Sequence, residues 1–240
     1  MFYWPTSFFY SVATKIARDF LFPTPIEYGK SRAMKKTISK EEINALPISS
    51  FQGDIITINK PDECEAALAD LRKETFIGFD TETRPSFTKN KSYKVSLLQL
   101  STHKKVYLFR LKTLGLPGPL AELLSNPSHF KIGLALNQDI KGLQALTPFK
   151  PHSFIDLQTL AKNSKIEVLS LRGLCGLFLG TRLSKKAKLT NWENKFLSKA
   201  QILYAALDAW VSREIFFEME KSQLFDLKTI TSLANKEEES

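Results

Sequence analysis

Three consecutive apolar segments with strand character constrain the fold of this chain more than any other feature. They are residues 76–82 (FIGFDTE), 93–101 (YKVSLLQLS) and 104–111 (KKVYLFRL), bounded by polar stretches. The segments that follow alternate between strand and helix patterns, beginning with FKIGLAL and NQDIKGLQAL. Strands that follow one another pair antiparallel, whereas strand–helix units add parallel strands, so we predict an α/β fold with a mixed central sheet flanked by helices.

The length and composition fit one domain of this kind. The chain has 240 residues, of which 43% are hydrophobic, so it can bury a substantial core. No internal repeat or low-complexity linker divides the sequence. We therefore predict a single domain over residues 40–225 and a polar C-terminal tail over residues 226–240.

Residues 1–39 differ from the rest of the chain. The first 33 residues are rich in aromatic residues and proline, lack the regions of a secretory signal, and carry charges too early for a membrane span. We interpret residues 1–39 as an N-terminal extension that is either disordered or upstream of a true translation start at Met34. The rival interpretation is an extension that docks on the domain or on a membrane surface.

The charge balance favours an acidic partner. The formal net charge is +9, and nucleic acid is the commonest partner of such proteins, although a generally basic soluble protein would have the same charge. Cys64 and Cys175 stand far apart without a zinc-binding spacing, which favours a reducing compartment. We expect a cytoplasmic protein without a membrane partner, and the sequence identifies no protein partner.

Acidic residues occur at three places that this topology could bring together. Asp80 and Glu82 end the first of the three apolar segments, and strand alternation places both on one face. Asp139 stands in the first turn of a helix that follows a strand. Tyr204 and Asp208 are four residues apart on a long helix, so they point to the same side.

These acids need positive charge nearby. Asp208 is surrounded in sequence by alanine, leucine and tryptophan, and burying a carboxylate without a partner costs several kcal/mol. Four converging carboxylates would repel one another unless cations lay between them. Two divalent ions would balance the charge, and oxygen ligands favour Mg²⁺ or Mn²⁺. Two such ions, about 3.5–4 Å apart, are the arrangement used to attack phosphodiesters.

The order of these motifs resembles the DEDDy 3′–5′ exonucleases, which include the RNase D group and the exonuclease domain of the Werner syndrome protein. The similarity extends to KVSLLQLST, KIGLALNQDIKGL, FIDLQTLA and LTNWENKFLSKAQILYAALDAW, and covers about residues 50–220. The resemblance implies an RNase H-like fold. Leu203 occupies the position where the related DEDDh group has histidine, so the tyrosine version is indicated.

The resemblance also implies roles for the five residues. Asp80, Glu82, Asp139 and Asp208 would be ligands of two divalent metal ions, Mg²⁺ or Mn²⁺, and Tyr204 would orient the attacking water. The reaction would release nucleoside 5′-monophosphates stepwise from a free 3′ end of DNA or RNA. Family members with helical nucleic-acid-binding domains carry them after the exonuclease domain, and we expect this chain to lack them.

Several residues are candidates for contact with the nucleic acid. A basic segment over residues 182–199 includes Lys185, Lys186 and Lys188, which would contact phosphates or be a solvated loop. Trp192 would stack on a base or pack beneath this segment. Arg84 and Phe87 would meet the 3′-terminal nucleotide, with core packing as the alternative for Phe87.

The sequence thus predicts a metal-dependent 3′–5′ exonuclease. The alternative function is a nucleic-acid-binding module that kept the fold and lost catalysis. A protein-interaction scaffold would account for the charge but not for the acidic pattern. Nothing in the sequence distinguishes DNA from RNA as the substrate.

Overall fold

The structure is a computed structural model that describes residues 35–184, 187 and 189–231. Most of the predicted extension, residues 1–34, and most of the predicted tail, residues 232–240, lie outside the described residues. Within the described part, the backbone oxygen of Lys36 accepts a hydrogen bond from the amide of Glu167 at 2.9 Å.

Six strands form one mixed sheet at the centre of the described chain, in the order β1-β4-β3-β2-β5-β6. β2, β3 and β4 are antiparallel neighbours, whereas β5 and β6 continue the sheet parallel to β2, and β1 pairs parallel with β4. The predicted mixed sheet is confirmed. The strands are β1 Asp54–Ile58, β2 Phe76–Thr83, β3 Val95–Ser101, β4 Lys105–Phe109, β5 Phe130–Gly133 and β6 Phe154–Asp156.

Helices flank the sheet, as predicted. They are α1 Lys40–Ala45, α2 Pro61–Leu71, α3 Leu111–Leu114, α4 Gly118–Ser125, α5 Asn137–Gln144, α6 Leu157–Asn163, α7 Leu171–Leu179 and α8 Lys199–Lys221. The apolar sides of α2 and α4 pack with Ile77, Phe79 and their neighbours in the main core. α8 crosses strands β2 to β5. Among the described residues, no helix combines the length and hydropathy that a membrane crossing requires.

Helix α8 approaches strand β2 so closely that only glycine fits between them. A Cβ atom on Gly78 would lie 2.2 Å from the backbone oxygen of Ala209 and 2.2 Å from the hydroxyl of Ser101. Since side chains alternate along a strand, Gly78 shares its face with Asp80 and Glu82, opposite the face of Ile77 and Phe79. α8 therefore lies on the face that carries the two acids.

Hydrogen bonds stabilise the start of α8 and anchor its middle. Ser198 caps the helix and forms a capping box with Gln201, which satisfies backbone amides of the first turn. Farther along, Trp210 donates its indole hydrogen to the backbone oxygen of His103 at 3.1 Å, and Arg213 donates to that of Phe76 at 3.1 Å. These bonds tie the helix to the turn between β3 and β4 and to β2.

We expect Gly78→Ala to destabilise the protein because the new methyl group would force α8 away from the sheet. Overpacking of this kind costs about 1–3 kcal/mol of the free energy of unfolding, measured by chemical denaturation. Gly118→Ala is the matched control, because a Cβ atom there meets no atom within 4 Å. Equal stability of the two variants would contradict the proposed role of Gly78.

Candidate active site

Three carboxylates meet where β2 ends beneath α8. Asp80, Glu82 and Asp208 each offer an oxygen atom, and these atoms lie within 4.8 Å of one another. Asp208 is buried, and the two strand residues are half-buried. The convergence of residues more than 120 positions apart follows from the packing of α8 on β2. A set of three carboxylate oxygens suits a hard divalent cation.

Tyr204 lies one helical turn before Asp208 and joins this cluster. Burial raises the pKa of the Tyr204 phenol well above its ordinary value, and the charges of Asp208, Glu82 and Asp80 and a hydrogen bond with Asp208 raise it further. The phenol therefore keeps its proton at neutral pH and can donate a hydrogen bond.

Asp139 reaches the same end of β2 from the other side of the strand. Its carboxylate accepts a hydrogen bond from the hydroxyl of Thr81, the residue between the two strand acids. Burial raises the pKa of Asp139, while the bond from Thr81 opposes that shift. Among the described residues, Asp139 lies outside the group of three clustered carboxylates. The structure thus places it beside the cluster, with Thr81 between them.

Arg84 has protein partners in this structure. Its guanidinium lies 3.1 Å from the Glu193 carboxylate and 4.6 Å from the centre of the Tyr93 ring. Lys112 approaches the same carboxylate at 3.8 Å. The predicted contact of Arg84 with the terminal nucleotide remains a prediction, and any such contact would compete with Glu193.

The segment around Glu193 is also held by a buried arginine that the sequence analysis did not single out. Arg110, at the end of β4, is 4% exposed and donates hydrogen bonds to the backbone oxygens of Asn194 and Lys195. Gln201 of α8 binds the other side of the segment, through the Thr190 hydroxyl at 3.0 Å. The signal for Arg110 in the sequence is a charged residue directly after the apolar run over residues 106–109.

Trp192 is a correction to the predicted contacts. Its side chain is fully buried, and its ring lies 6.1 Å from that of Tyr204, centre to centre. A ring without exposed surface cannot stack on a base, so the prediction of nucleic-acid contact is wrong for this conformation. The alternative, packing beneath the basic segment, stays a prediction, since Lys185, Lys186 and Lys188 of that segment lie outside the described residues.

Phe87 and three lysines are the remaining candidates for contact with the nucleic acid. Phe87 is 84% exposed, so the alternative of core packing is wrong for this residue. Lys185, Lys186 and Lys188 lie outside the described residues, and their predicted phosphate contacts stay predictions.

A small pocket of about 120 Å³ adjoins the cluster. Tyr204 and Asp208 form one side of it, and apolar side chains including Leu183, Leu203 and Leu207 line much of the rest.

Gln99 is a further residue that the sequence analysis missed. It is fully buried, stands opposite Asp80 on β3, and its side-chain amide has no hydrogen-bond partner among the described residues.

Comparison with known proteins supports the resemblance seen in the motifs. A family model for the 3′–5′ exonuclease domain matches residues 55–223. The mouse bifunctional 3′-5′ exonuclease/ATP-dependent helicase WRN is 32% identical over 205 residues, covering 81% of this chain and 14% of the mouse protein. Ribonuclease D of Gluconacetobacter diazotrophicus is 26% identical, with 68% of this chain and 42% of that protein covered. The chain therefore spans less than half the length of these relatives.

Solved structures agree with the fold. The Nibbler EXO domain of Aedes aegypti superposes with a TM-score of 0.69 at 26% identity, covering 78% of this chain and 99% of that domain. Escherichia coli RNase D superposes with a TM-score of 0.61 at 22% identity, covering 78% and 51% of the two chains. The predicted RNase H-like fold is confirmed.

We expect Trp192→Ala to lower the free energy of unfolding by about 3–5 kcal/mol, because it empties a fully buried site beside Tyr204. Trp192→Phe, which keeps most of the buried ring, should lose much less. Chemical denaturation of both variants gives the comparison. Unchanged stability of Trp192→Ala would contradict the assignment of the ring to the core.

Proposed function

Because the chain belongs to the 3′–5′ exonuclease family, we propose that it hydrolyses phosphodiester bonds at a free 3′ end of DNA or RNA. The products would be nucleoside 5′-monophosphates, and the mechanism would be the DEDDy type. The observation that carries this proposal is the convergence of Asp80, Glu82 and Asp208 with Tyr204 beside them. These residues come from distant parts of the chain, and no packing requirement explains three carboxylates at one point.

The acidic residues would hold two divalent ions, Mg²⁺ or Mn²⁺. Asp80, Glu82 and Asp208 form an oxygen-only set within 4.8 Å, which fits a hard cation, and Asp139 adjoins this set through Thr81. Ions bound there would supply an activated water and stabilise the charge of the departing 3′ oxygen. The protein contributes carboxylates that the rigid contact of α8 with β2 holds in place.

Tyr204 would orient the attacking water. Its phenol keeps the proton at neutral pH, so it can donate a hydrogen bond to that water. The packing of Trp192 against the Tyr204 ring restricts where that hydroxyl can point. Correct orientation of a reacting group matters because a displacement of about 1 Å can reduce a rate roughly 100-fold.

The alternative function is a nucleic-acid-binding module without catalysis. It would share the basic charge and the fold, but would have no use for the clustered acids. The two functions differ in one measurable property, the metal-dependent shortening of an oligonucleotide from its 3′ end.

We expect Asp80→Asn to abolish this activity because it replaces a charged carboxylate ligand in the cluster with a neutral amide. Loss of partners outside the ligand set already costs 10–100-fold in metalloenzymes, so we expect a loss of more than about 100-fold. The measurement uses 5′-labelled single- and double-stranded DNA and RNA with Mg²⁺ or Mn²⁺.

The matched control is Asp62→Asn, which removes an exposed carboxylate that lies outside the cluster, at the start of α2. It should leave the rate unchanged. Binding without any shortening by the unaltered protein, in either metal, would support the inactive module instead.

We expect Tyr204→Phe to lower kcat by roughly 100-fold, with little change in the KM for the oligonucleotide. The ring and its packing on Trp192 are kept, and only the hydroxyl is lost. Initial rates over a range of oligonucleotide concentrations separate the two constants. An unchanged kcat would exclude the hydroxyl from the reaction.

A further inference from the structure

We propose that two exposed segments beside the acidic cluster form a binding surface for single-stranded nucleic acid. The surface would hold the nucleotides upstream of the two that flank the cleaved bond, so it rests on the proposed function. We call it the aromatic–cation surface. It consists of Arg84, Phe87, Lys91, Tyr93, Lys195 and Phe196.

The first observation is the exposure of two large aromatic side chains. Phe87 is 84% exposed and Phe196 is 79% exposed. Burying a phenylalanine side chain stabilises a protein by about 1.5–3 kcal/mol, so these two rings contribute almost none of that stabilisation to folding. Exposed aromatic rings are the platforms on which unpaired bases stack.

The second observation is the positive charge around these rings. Residues 84–94 contain Arg84 and three exposed lysines, Lys89, Lys91 and Lys94, without any acidic residue. The Lys91 ammonium lies 5.2 Å from the centre of the Tyr93 ring, and that of Lys195 lies 5.5 Å from the centre of the Phe196 ring. Cations beside aromatic rings suit a ligand that presents phosphates and bases in alternation.

The third observation is the link between the two segments. The ion pair of Arg84 with Glu193 joins them, and each exposed phenylalanine stands three residues from a member of that pair. The first segment leaves the end of β2 that carries Asp80 and Glu82. The second leads into α8, which carries Tyr204 and Asp208. Both segments therefore continue directly from the elements of the acidic cluster.

The rings favour a single strand over a duplex. Bases of a duplex are paired and stacked on each other, so their faces are closed to side chains except at the ends. Bases of a single strand can turn outward and stack on protein rings. The positive charge and the adjoining cluster favour nucleic acid over an apolar protein partner.

The test compares Phe87→Ala/Phe196→Ala with the unaltered full chain. Binding is measured by fluorescence anisotropy, without divalent ions, on single strands of about twelve nucleotides of DNA and of RNA and on a blunt duplex. Hydrolysis of a dinucleotide with Mn²⁺ is measured in parallel, because a dinucleotide is too short to extend beyond the site of cleavage. Ile56→Ala is the control, since it truncates an exposed apolar residue on β1, the far edge strand of the sheet.

We expect the unaltered chain to bind the single strands more tightly than the duplex. The double variant should lose at least about tenfold in affinity for the single strands, the loss typical of one stacked base. Its hydrolysis of the dinucleotide should stay within about twofold of the unaltered rate, and Ile56→Ala should match the unaltered chain in both assays.

Unchanged affinity of the double variant for the single strands would overturn the proposal. A protein partner would then be the alternative occupant of the surface. An equal loss on the dinucleotide would also overturn the proposal, because the rings would then belong to the cleavage site. Absence of metal-dependent shortening of the same single strands by the unaltered chain would refute the proposed exonuclease function, whereas the anisotropy measurements decide the surface on their own.

Discussion

The contact between helix α8 and strand β2 at Gly78 is the constraint on which the acidic site depends. It brings the backbone of Ala209 against the strand, and Asp208 is the preceding residue of that helix. A side chain at position 78 would hold the two elements apart and with them the carboxylates. The site is therefore a product of backbone packing as much as of its own polar groups. The bonds of Trp210 to His103 and of Arg213 to Phe76 hold the middle of α8 against the sheet.

Residues at the end of β2 contact acidic side chains on both faces of the strand. Asp80 and Glu82 point toward α8, while Thr81 points toward α5 and holds Asp139. Three successive residues of one strand thus contact acidic side chains from two helices that lie on opposite sides of the sheet. A one-residue shift in the register of β2 would exchange the two faces and dismantle the arrangement.

The sequence predicted the parts of this structure that depend on local periodicity. The strands and helices follow from alternation and helical spacing. The convergence of Asp80, Glu82 and Asp208 was implied by the resemblance of the motif order to the DEDDy exonucleases. Residues 182–199 have no period, so neither the burial of Trp192 nor the partner of Arg84 could be deduced from neighbours in sequence. Both depend on contacts that span about 12 to 109 positions, which only the folded chain reveals.

Arg110 holds the segment before α8 through main-chain oxygens and not through side chains. Every residue type has such an oxygen, so the identities of residues 194 and 195 are irrelevant to this anchor. Evolution can therefore exchange the side chains at these positions without loosening the segment. An anchor of this kind lets related proteins acquire different surface chemistry at a fixed distance from the acidic cluster, and so diverge in what they recognise while the cluster stays intact.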